Sequence, residues 1–147
     1  NEKGNFDRII SNFLYSNEIE KYLLIKVELY FNSMFYRNRK NTIAESIRKN
    51  IDDNISNPQL SLITIAKHLN MSIPYMCVVF KDEQKKTINQ YITECRIEKA
   101  KEYLLNSNMK IKDIAANVGF TDCNYFIKVF RRMTGLTPME FRGLKSS

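Results

Sequence analysis

Hydrophobic residues recur at three- and four-residue intervals along almost the whole of this 147-residue chain, which is the spacing of one face of an α-helix. No stretch of strand length alternates apolar and polar residues, and only three prolines and four glycines interrupt the pattern. The sequence therefore predicts an all-α fold. The expected helices cover residues 17–38, 43–55, 61–69, 73–84, 88–106, 110–118, 122–133 and 138–144.

Four of the expected helix starts carry a capping side chain three residues ahead of Glu or Gln, a pattern that satisfies free N–H groups at a helix N-terminus. The capping residues are Asn17, Thr42, Thr87 and Thr137, and their partners are Glu20, Glu45, Gln90 and Glu140. Pro138 follows the last of them, at a position where a missing N–H costs nothing.

One pattern occurs twice in the second half of the chain. Ile65-Ala66 aligns with Ile114-Ala115 at a shift of forty-nine residues, and Phe80 aligns with Phe130 at a shift of fifty. The matching positions are mostly apolar, as expected for two copies of one supersecondary unit that close on themselves in the same way. Each copy reads as a short helix, a turn of three or four residues and a second helix. This is the helix-turn-helix (HTH) arrangement, and we refer to the two copies as the first and second HTH units.

The second helix of each HTH unit is expected to leave one face outside its core. In 122–133 the predicted inward stripe is Phe126, Val129, Phe130 and Met133. The outward face then holds Asn124, Ile127, Lys128 and Arg131, flanked by Cys123 and Arg132. This face offers hydrogen-bond donors and positive charge.

The corresponding face of 73–84 is more apolar. Its predicted inward residues are Met76, Val79, Phe80 and Tyr75, which leaves Pro74, Cys77, Val78 and Lys81 outside, with Ile73 near the start. Such a face either packs on another part of the protein or contacts thymine methyl groups in a DNA major groove. Lys81, Lys85, Lys86, Arg131 and Arg132 are candidate phosphate contacts, which would set register without reading sequence.

The long helix 88–106 is expected to join the HTH units. Ile88, Ile92 and Cys95 fall on one side of it, whereas Ile97, Ala100 and Leu104 fall near the opposite side, so its two halves should serve different cores. At 1.5 Å per residue it is about 28 Å long, which approaches the roughly 34 Å between successive major-groove openings on one face of B-DNA. One molecule could therefore place two helices in adjacent grooves.

Composition narrows the candidate functions. The net charge of +7 and the pI near 9.3 favour a polyanion or an acidic surface as partner.

Cys77, Cys95 and Cys123 form no Cys-x-x-Cys pair, so neither a disulfide framework nor a zinc site is indicated, and a reducing cytoplasm is the expected location. His68 is the only histidine. We expect no enzyme activity, no metal and no cofactor, because no nucleophile, base and orienting group occur together.

No apolar run is long enough to cross a bilayer, and the start lacks the layout of a signal peptide, so no membrane contact is expected. The chain begins with Asn rather than Met, and we expect it to be a piece of a longer protein.

Residues from about 43 to 144 resemble the DNA-binding domain of the AraC family of bacterial transcription regulators. The resemblance is carried by LSLITIAKHLNMS, PYMCVVFKDE, INQYITECRIEKAKEYLL and IKDIAANVGFTDCNYFIKVFRRMTGLTPMEFR. It implies two HTH units joined by a linker helix, with Arg96 and Ala100 in the linker and the second helix of each unit acting as a recognition helix on double-stranded DNA. The implied base-contacting residues are Ile73, Pro74, Cys77, Val78, Cys123, Asn124, Ile127 and Lys128.

Two departures from the family pattern concern the first HTH unit. Lys85 stands where the family usually has a glycine after the recognition helix, so a left-handed cap there carries a cost. Cys77 and Val78 replace polar or Arg side chains, which argues against a bidentate contact to guanine and favours AT-rich sequence or DNA shape.

Three segments are expected in the DNA-binding part, 43–86, 87–106 and 107–147, and residues 1–42 lie outside the repeat. Those first residues are strongly apolar and aromatic, so something must cover them. One interpretation is that they are the tail of an upstream sensory or connector segment, which packs on the DNA-binding domain or on a second copy of itself. The other is that they are a self-contained N-terminal cap. RNA polymerase is a further candidate partner of such a regulator. The alternative function is a helical protein-interaction module that does not bind DNA.

Overall fold

The computed structural model describes residues 2–144, and every regular element among them is a helix, as the sequence predicted. Side chains are described for only part of residues 1–36. The helices, in chain order, are α1 (Glu2–Asn54), α2 (Leu62–His68), α3 (Ile73–Gln84), α4 (Ile88–Asn106), α5 (Ile111–Asn117), α6 (Cys123–Thr134) and α7 (Pro138–Gly143). By its contacts the chain divides into residues 1–41 and residues 42–147, which are described separately.

The N-terminal region was predicted wrongly as two helices, 17–38 and 43–55. It is one helix of 53 residues, so neither Asn17 nor Thr42 caps a helix start. A capping side chain acts only where the preceding chain leaves helical geometry, and no Gly or Pro occurs between residues 5 and 57 to make it do so. Thr42 lies within α1, away from either end, and its carbonyl accepts a hydrogen bond from Ser46 Oγ at 3.0 Å.

The segment 42–147 holds two separate hydrophobic cores. The first is built from the end of α1, from α2 and α3 and from the first half of α4, and it includes Ile51, Met76, Phe80, Ile88 and Ile92. The second is built from the rest of α4 and from α5 and α6, and it includes Ile97, Leu104, Ile114, Phe126 and Phe130. The prediction that the two halves of α4 serve different cores is therefore confirmed. Each fully buried side chain of this size contributes about 1.5–3 kcal/mol to folding.

The turn between the two helices has the same backbone pattern in both HTH units. Met71 N–H donates to Ala66 O in the first unit and Phe120 N–H donates to Ala115 O in the second, both at 2.9 Å. Each turn also contains one residue with positive φ, which is Asn70 (51°) in the first unit and Gly119 (90°) in the second. The repeat seen in the sequence is thus a repeat of backbone conformation.

The two recognition helices end in the same way but with different residues. Lys85 at φ 58° closes α3, and Gly135 at φ 81° closes α6. The expectation of a left-handed cap at Lys85 is confirmed. Side chains with a Cβ pay roughly 1–2 kcal/mol in this conformation, so the first HTH unit carries backbone strain that the second avoids by using glycine.

The sequence correctly predicted the capping boxes at Thr87 and Thr137. Thr87 N–H donates to Gln90 Oε1 at 2.8 Å, and Thr137 N–H donates to Glu140 Oε2 at 2.7 Å. A further capping box, at Ser61 with Thr64, was missed because Thr rather than Glu or Gln is the partner.

Candidate nucleic-acid interface

Helix α6 presents the predicted polar face. Its N-cap Asp122 accepts a hydrogen bond from Tyr125 N–H at 2.6 Å, which fixes the helix start. Phe126, Val129 and Phe130 are buried, and Asn124, Lys128 and Arg131 are exposed on the other side. Cys123 and Ile127 are half-buried and pack against the second core.

Helix α3 presents an apolar face in the same position. Met76, Val79 and Phe80 are buried. Ile73, Pro74, Lys81 and Val78 are exposed, Val78 by 65%, while Cys77 is half-buried against the first core. The exposed apolar side chains show that nothing else in the described part of the segment 42–147 covers this face.

Two residues were assigned wrongly to the inward stripes. Tyr75 is 43% exposed and Met133 is 40% exposed. Tyr75 precedes the buried Met76, Val79 and Phe80, whose three-and-four spacing already fills the stripe. Met133 lies near the end of α6, where Phe141 from α7 packs edge-on against Phe130 with 5.5 Å between ring centroids and closes the core without it.

The two outward faces correspond position by position. At a shift of fifty residues, Val78 corresponds to Lys128, Cys77 to Ile127 and Lys81 to Arg131, and each pair has the same degree of burial. The faces therefore differ in chemistry and not in the way they are presented. The most accessible of the sequence-predicted base contacts are Ile73, Pro74, Val78, Asn124 and Lys128.

The candidate phosphate contacts differ in their surroundings. Lys81 and Arg131 are exposed on the outward faces, and Lys85 donates to the carbonyl of Asp82 at the end of its own helix. Lys86 forms an ion pair with Glu94 of α4, so part of its charge is already compensated. The exposed Arg132 lines a groove beside α4 together with Asn89, Gln90, Thr93, Glu94 and Met133.

The two HTH units meet at Arg96, in the middle of α4. Its Nε donates to Ile55 O at 3.2 Å and its Nη2 donates to Asn57 O at 2.9 Å. The same guanidinium lies over the ring of Phe120, 5.7 Å from the centroid. Partial burial lowers the pKa of Arg96. The sequence indicated only that Arg96 belongs to the linker pattern. Its acceptors are backbone carbonyls about forty residues away, which no side-chain spacing reveals.

One group of titratable side chains lies away from the two outward faces. Cys95 Sγ is 3.9 Å from Asp52 Oδ1, and Tyr91 lies beside Cys95. Burial is the main reason that the pKa of Tyr91 is raised to about 12, and Cys95 and Asp52 contribute to the same rise. Burial also raises the pKa of the Cys95 thiol, although its contact with Tyr91 opposes this. At neutral pH both groups are therefore uncharged, and the contact of Cys95 with Asp52 joins α4 to the end of α1.

Two HTH units on either side of a shared helix, each presenting one outward recognition face, define a double helix-turn-helix protein. Comparison with known proteins agrees, because a family of helix-turn-helix domains matches residues 65–143. The chain belongs to the AraC-type family of helix-turn-helix transcription regulators. This confirms the resemblance found in the sequence and the prediction of a regulatory rather than an enzymatic domain.

The relatives are regulators of greater length. The uncharacterized transcriptional regulatory protein YesN of Bacillus subtilis (strain 168) is 41% identical over 103 residues, which is 68% of this chain and 28% of YesN. The arabinose operon regulatory protein of Escherichia coli (strain K12) is 29% identical over 132 residues, 90% of this chain and 44% of that protein. The chain thus spans less than half of the length of either relative.

A solved structure has the same fold. The C-terminal domain of AraT, a response regulator from Geobacillus stearothermophilus, superposes with a TM-score of 0.68 at 31% identity, covering 69% of this chain and 84% of that domain. Of the helices described, none alone is long and apolar enough to span a membrane, although the bent pair α2 and α3 together passes on length and composition.

Proposed function

We propose that this chain binds double-stranded DNA through α3 and α6, which enter adjacent major grooves from one side. The observation that supports this most is the position-by-position correspondence of the two outward faces, at two ends of one linker helix. A single groove-binding helix would need only one such face. Two equivalent faces joined by a helix of 19 residues fit a target that repeats itself once per helical turn.

The two recognition helices are proposed to read DNA differently. In α6, Asn124 and Lys128 can donate to base edges, with the half-buried Cys123 and Ile127 approaching from the same face. In α3, Ile73, Pro74, Val78 and the half-buried Cys77 offer apolar contacts only. The second HTH unit therefore supplies hydrogen-bonded base readout, and the first supplies contact with thymine methyl groups and sensitivity to DNA shape.

Phosphate contacts are proposed for Lys81, Lys85, Lys86, Arg131 and Arg132, with Lys86 the weakest of them because Glu94 already pairs with it. Each phosphate neutralised releases bound counterions, so affinity should fall with salt by roughly 0.9 logarithmic units per contact per tenfold change in salt concentration. The charge of +7 provides for several such contacts.

The test is a footprint on the promoter of the protein's own operon, together with gel-shift titrations at several salt concentrations. We expect two protected patches on one face of the DNA, about one helical turn apart, and an affinity that decreases as salt increases. A single protected patch would refute the use of both helices. No shift of any promoter fragment at low salt would refute the function itself.

A second candidate function is supported by exposed apolar side chains on the first HTH unit. Ile63, Tyr75 and Val78 are all exposed there, and such groups also occur at protein-binding surfaces. A protein-interaction module of this kind would bind its partner with little dependence on salt. It would not shift promoter DNA, so the gel-shift titration also distinguishes the two functions.

Residues 1–41 are proposed to associate with a second copy of the chain. Leu23, Val27, Tyr30 and Met34 are exposed on α1 at intervals of four, three and four residues, which is the spacing of a coiled-coil seam. Sedimentation equilibrium should give a dimer for the chain and a monomer for a variant with Val27→Glu and Tyr30→Glu. A monomeric parent chain would refute this assignment.

RNA polymerase is proposed as a further partner and the cytoplasm as the location, because relatives of this chain are transcription regulators. Co-purification of polymerase with DNA-bound protein, compared with DNA alone, tests the first of these. Fractionation of cells tests the second.

A further inference from the structure

Arg96 lies at the point where α4 passes from one core to the other. Cys95 packs against the first core and Ile97 is a member of the second, while the two cores share no residue. A bend or twist of α4 at this point would therefore swing one HTH unit against the other without disturbing either core. Additional contacts at this position would be needed to prevent such movement.

The Arg96 side chain makes contacts of this kind to both sides. Its hydrogen bonds hold Ile55 O and Asn57 O, directly after α1, and Ile55 belongs to the first core. Its guanidinium carbon lies over the ring of Phe120, which belongs to the second core. Arginine suits this role because its rigid planar group can donate to two acceptors and contact an aromatic ring at once.

The backbone beside Arg96 is packed closely. A Cβ atom placed on Gly119 would lie 2.7 Å from Ile55 O and 2.9 Å from the Arg96 guanidinium carbon. The turn of the second HTH unit therefore lies directly against both the chain after α1 and the Arg96 guanidinium. This junction fits one relative placement of the two units.

We propose that Arg96 is a positioning residue that fixes the distance and angle between α3 and α6, and thereby the spacing of the two DNA half-sites that the protein accepts. The second part of this inference rests on the proposed function, because it requires both helices to contact DNA. The first part concerns the protein alone and can be measured without DNA.

The distance between α3 and α6 is measured by pulsed electron resonance on spin labels attached to p-acetylphenylalanine at positions 78 and 128, so that the native cysteines remain. We expect one narrow distance distribution for the labelled parent and a broader, shifted one for Arg96→Ala. Lys99→Ala is the matched control, because it removes the same positive charge from the next turn of α4. Lys99 donates to Ser56 Oγ at 3.1 Å, so this variant also loses one hydrogen bond to the chain after α1. It should match the parent.

Circular dichroism establishes that each variant is folded. If Arg96→Ala does not fold, the same measurement on Arg96→Lys decides, because lysine keeps the charge but lacks the planar group, and a distribution wider than that of the parent is expected. A distribution that superposes on that of the parent, in a folded variant, overturns the proposal.

The second measurement uses a duplex selected by the unmodified chain from a random pool, and the same duplex with one base pair inserted between the two protected patches. The insertion rotates one half-site by about a tenth of a turn, so the parent should lose about tenfold or more in affinity. Arg96→Ala should bind the selected duplex more weakly but lose less than about threefold on insertion, because freer units can follow the shift.

The ratio of the two affinities is the decisive quantity, because a variant that is merely less stable would lose affinity for both duplexes equally. An Arg96→Ala ratio equal to that of the parent overturns the assignment of half-site spacing to Arg96. If the parent protects only one patch, the proposed use of both helices fails, whereas the label distances still decide whether Arg96 positions the units.

Discussion

Val78 and Lys128 occupy equivalent positions on α3 and α6, fifty residues apart, and both side chains are exposed. Their neighbours correspond as well, since Cys77 and Ile127 are both half-buried and Lys81 and Arg131 are both exposed. The fold thus presents one surface twice with different chemistry. One of the two positions has a basic side chain and the other an apolar one. Mutating each in turn should therefore separate the contributions of the two units to DNA binding.

Lys128→Ala should lower specific binding by roughly 1–3 kcal/mol, the value of a good base contact, and relax sequence preference in one half-site. Gel-shift titrations against the preferred duplex and against duplexes substituted at single positions measure this. Val78→Ala is the comparison, and it should change the preference in the other half-site only. Unaltered affinity and preference in Lys128→Ala would remove Lys128 from the proposed base contacts.

Arg132→Ala should weaken specific and nonspecific binding alike and reduce the salt slope by about one phosphate contact. Arg132 is exposed, but it lies in the groove beside α4 together with Glu94 and not on the outward face of α6. It is therefore placed to contact the DNA backbone and not the base edges. Titrations at four or more salt concentrations give the slope. Lys101→Ala serves as the control for loss of charge, since Lys101 pairs with Glu98 on α4. A slope unchanged from that of the parent would contradict the phosphate contact.

The apolar pattern of the sequence was sufficient for the fold of the segment 42–147. Phe80 and Phe130 were aligned from their spacing, and both are fully buried. Helical periodicity predicts such positions because a buried face recurs every three or four residues. The same reasoning failed for Tyr75 and Met133, because periodicity gives a direction on the helix but not where the core ends.

The junction of the two HTH units could not be predicted in this way. Arg96 donates to the backbone carbonyls of Ile55 and Asn57, and every residue type has such a carbonyl, so the sequence contains no sign of the acceptors. The continuity of α1 through Thr42 was missed for a related reason. A capping residue is a signal only if the chain before it is not helical, and local sequence around Thr42 does not decide that.

Gly119→Ala should destabilise the protein more than Gly135→Ala, although both glycines have positive φ. The left-handed backbone costs each variant about 1–2 kcal/mol. At Gly135 a Cβ meets nothing within 4 Å, whereas at Gly119 it meets Ile55 O at 2.7 Å, so a further 1–3 kcal/mol or so is expected there. Urea unfolding gives the free energies. Gly143→Ala, with open space around it and no positive φ, should be neutral or slightly stabilising.

If Gly119→Ala and Gly135→Ala lost equal amounts of unfolding free energy, the turn of the second HTH unit would have room to move away from the end of α1. That result would also weaken the case for a single fixed placement of the two units. A larger loss at Gly119, accompanied by broader label distances between α3 and α6, would connect the close packing to the spacing of the recognition helices.

Glu140→Gln should remove part of the acid sensitivity of the fold. Thr137 N–H and Oγ1 donate to Glu140 Oε2 at 2.7 and 2.8 Å, which lowers the pKa of this carboxyl. A carboxyl whose pKa is lower in the folded chain stabilises the fold above its unfolded-state pKa of about 4.3 and loses that contribution as pH falls through the folded value. Unfolding midpoints between pH 3 and 6 measure this.

The amide oxygen introduced by Glu140→Gln can still accept the hydrogen bond from Thr137 N–H, so the variant should be nearly as stable as the parent at pH 3 and slightly less stable at pH 6. The parent should therefore lose more stability than Glu140→Gln as pH falls below about 4.5. Glu102→Gln, at an exposed position of α4, is the control for removal of one carboxylate. Parallel curves for the parent and Glu140→Gln would show that the capping carboxylate of α7 gives no pH-dependent stability, and that the charge on Glu140 adds nothing to the cap.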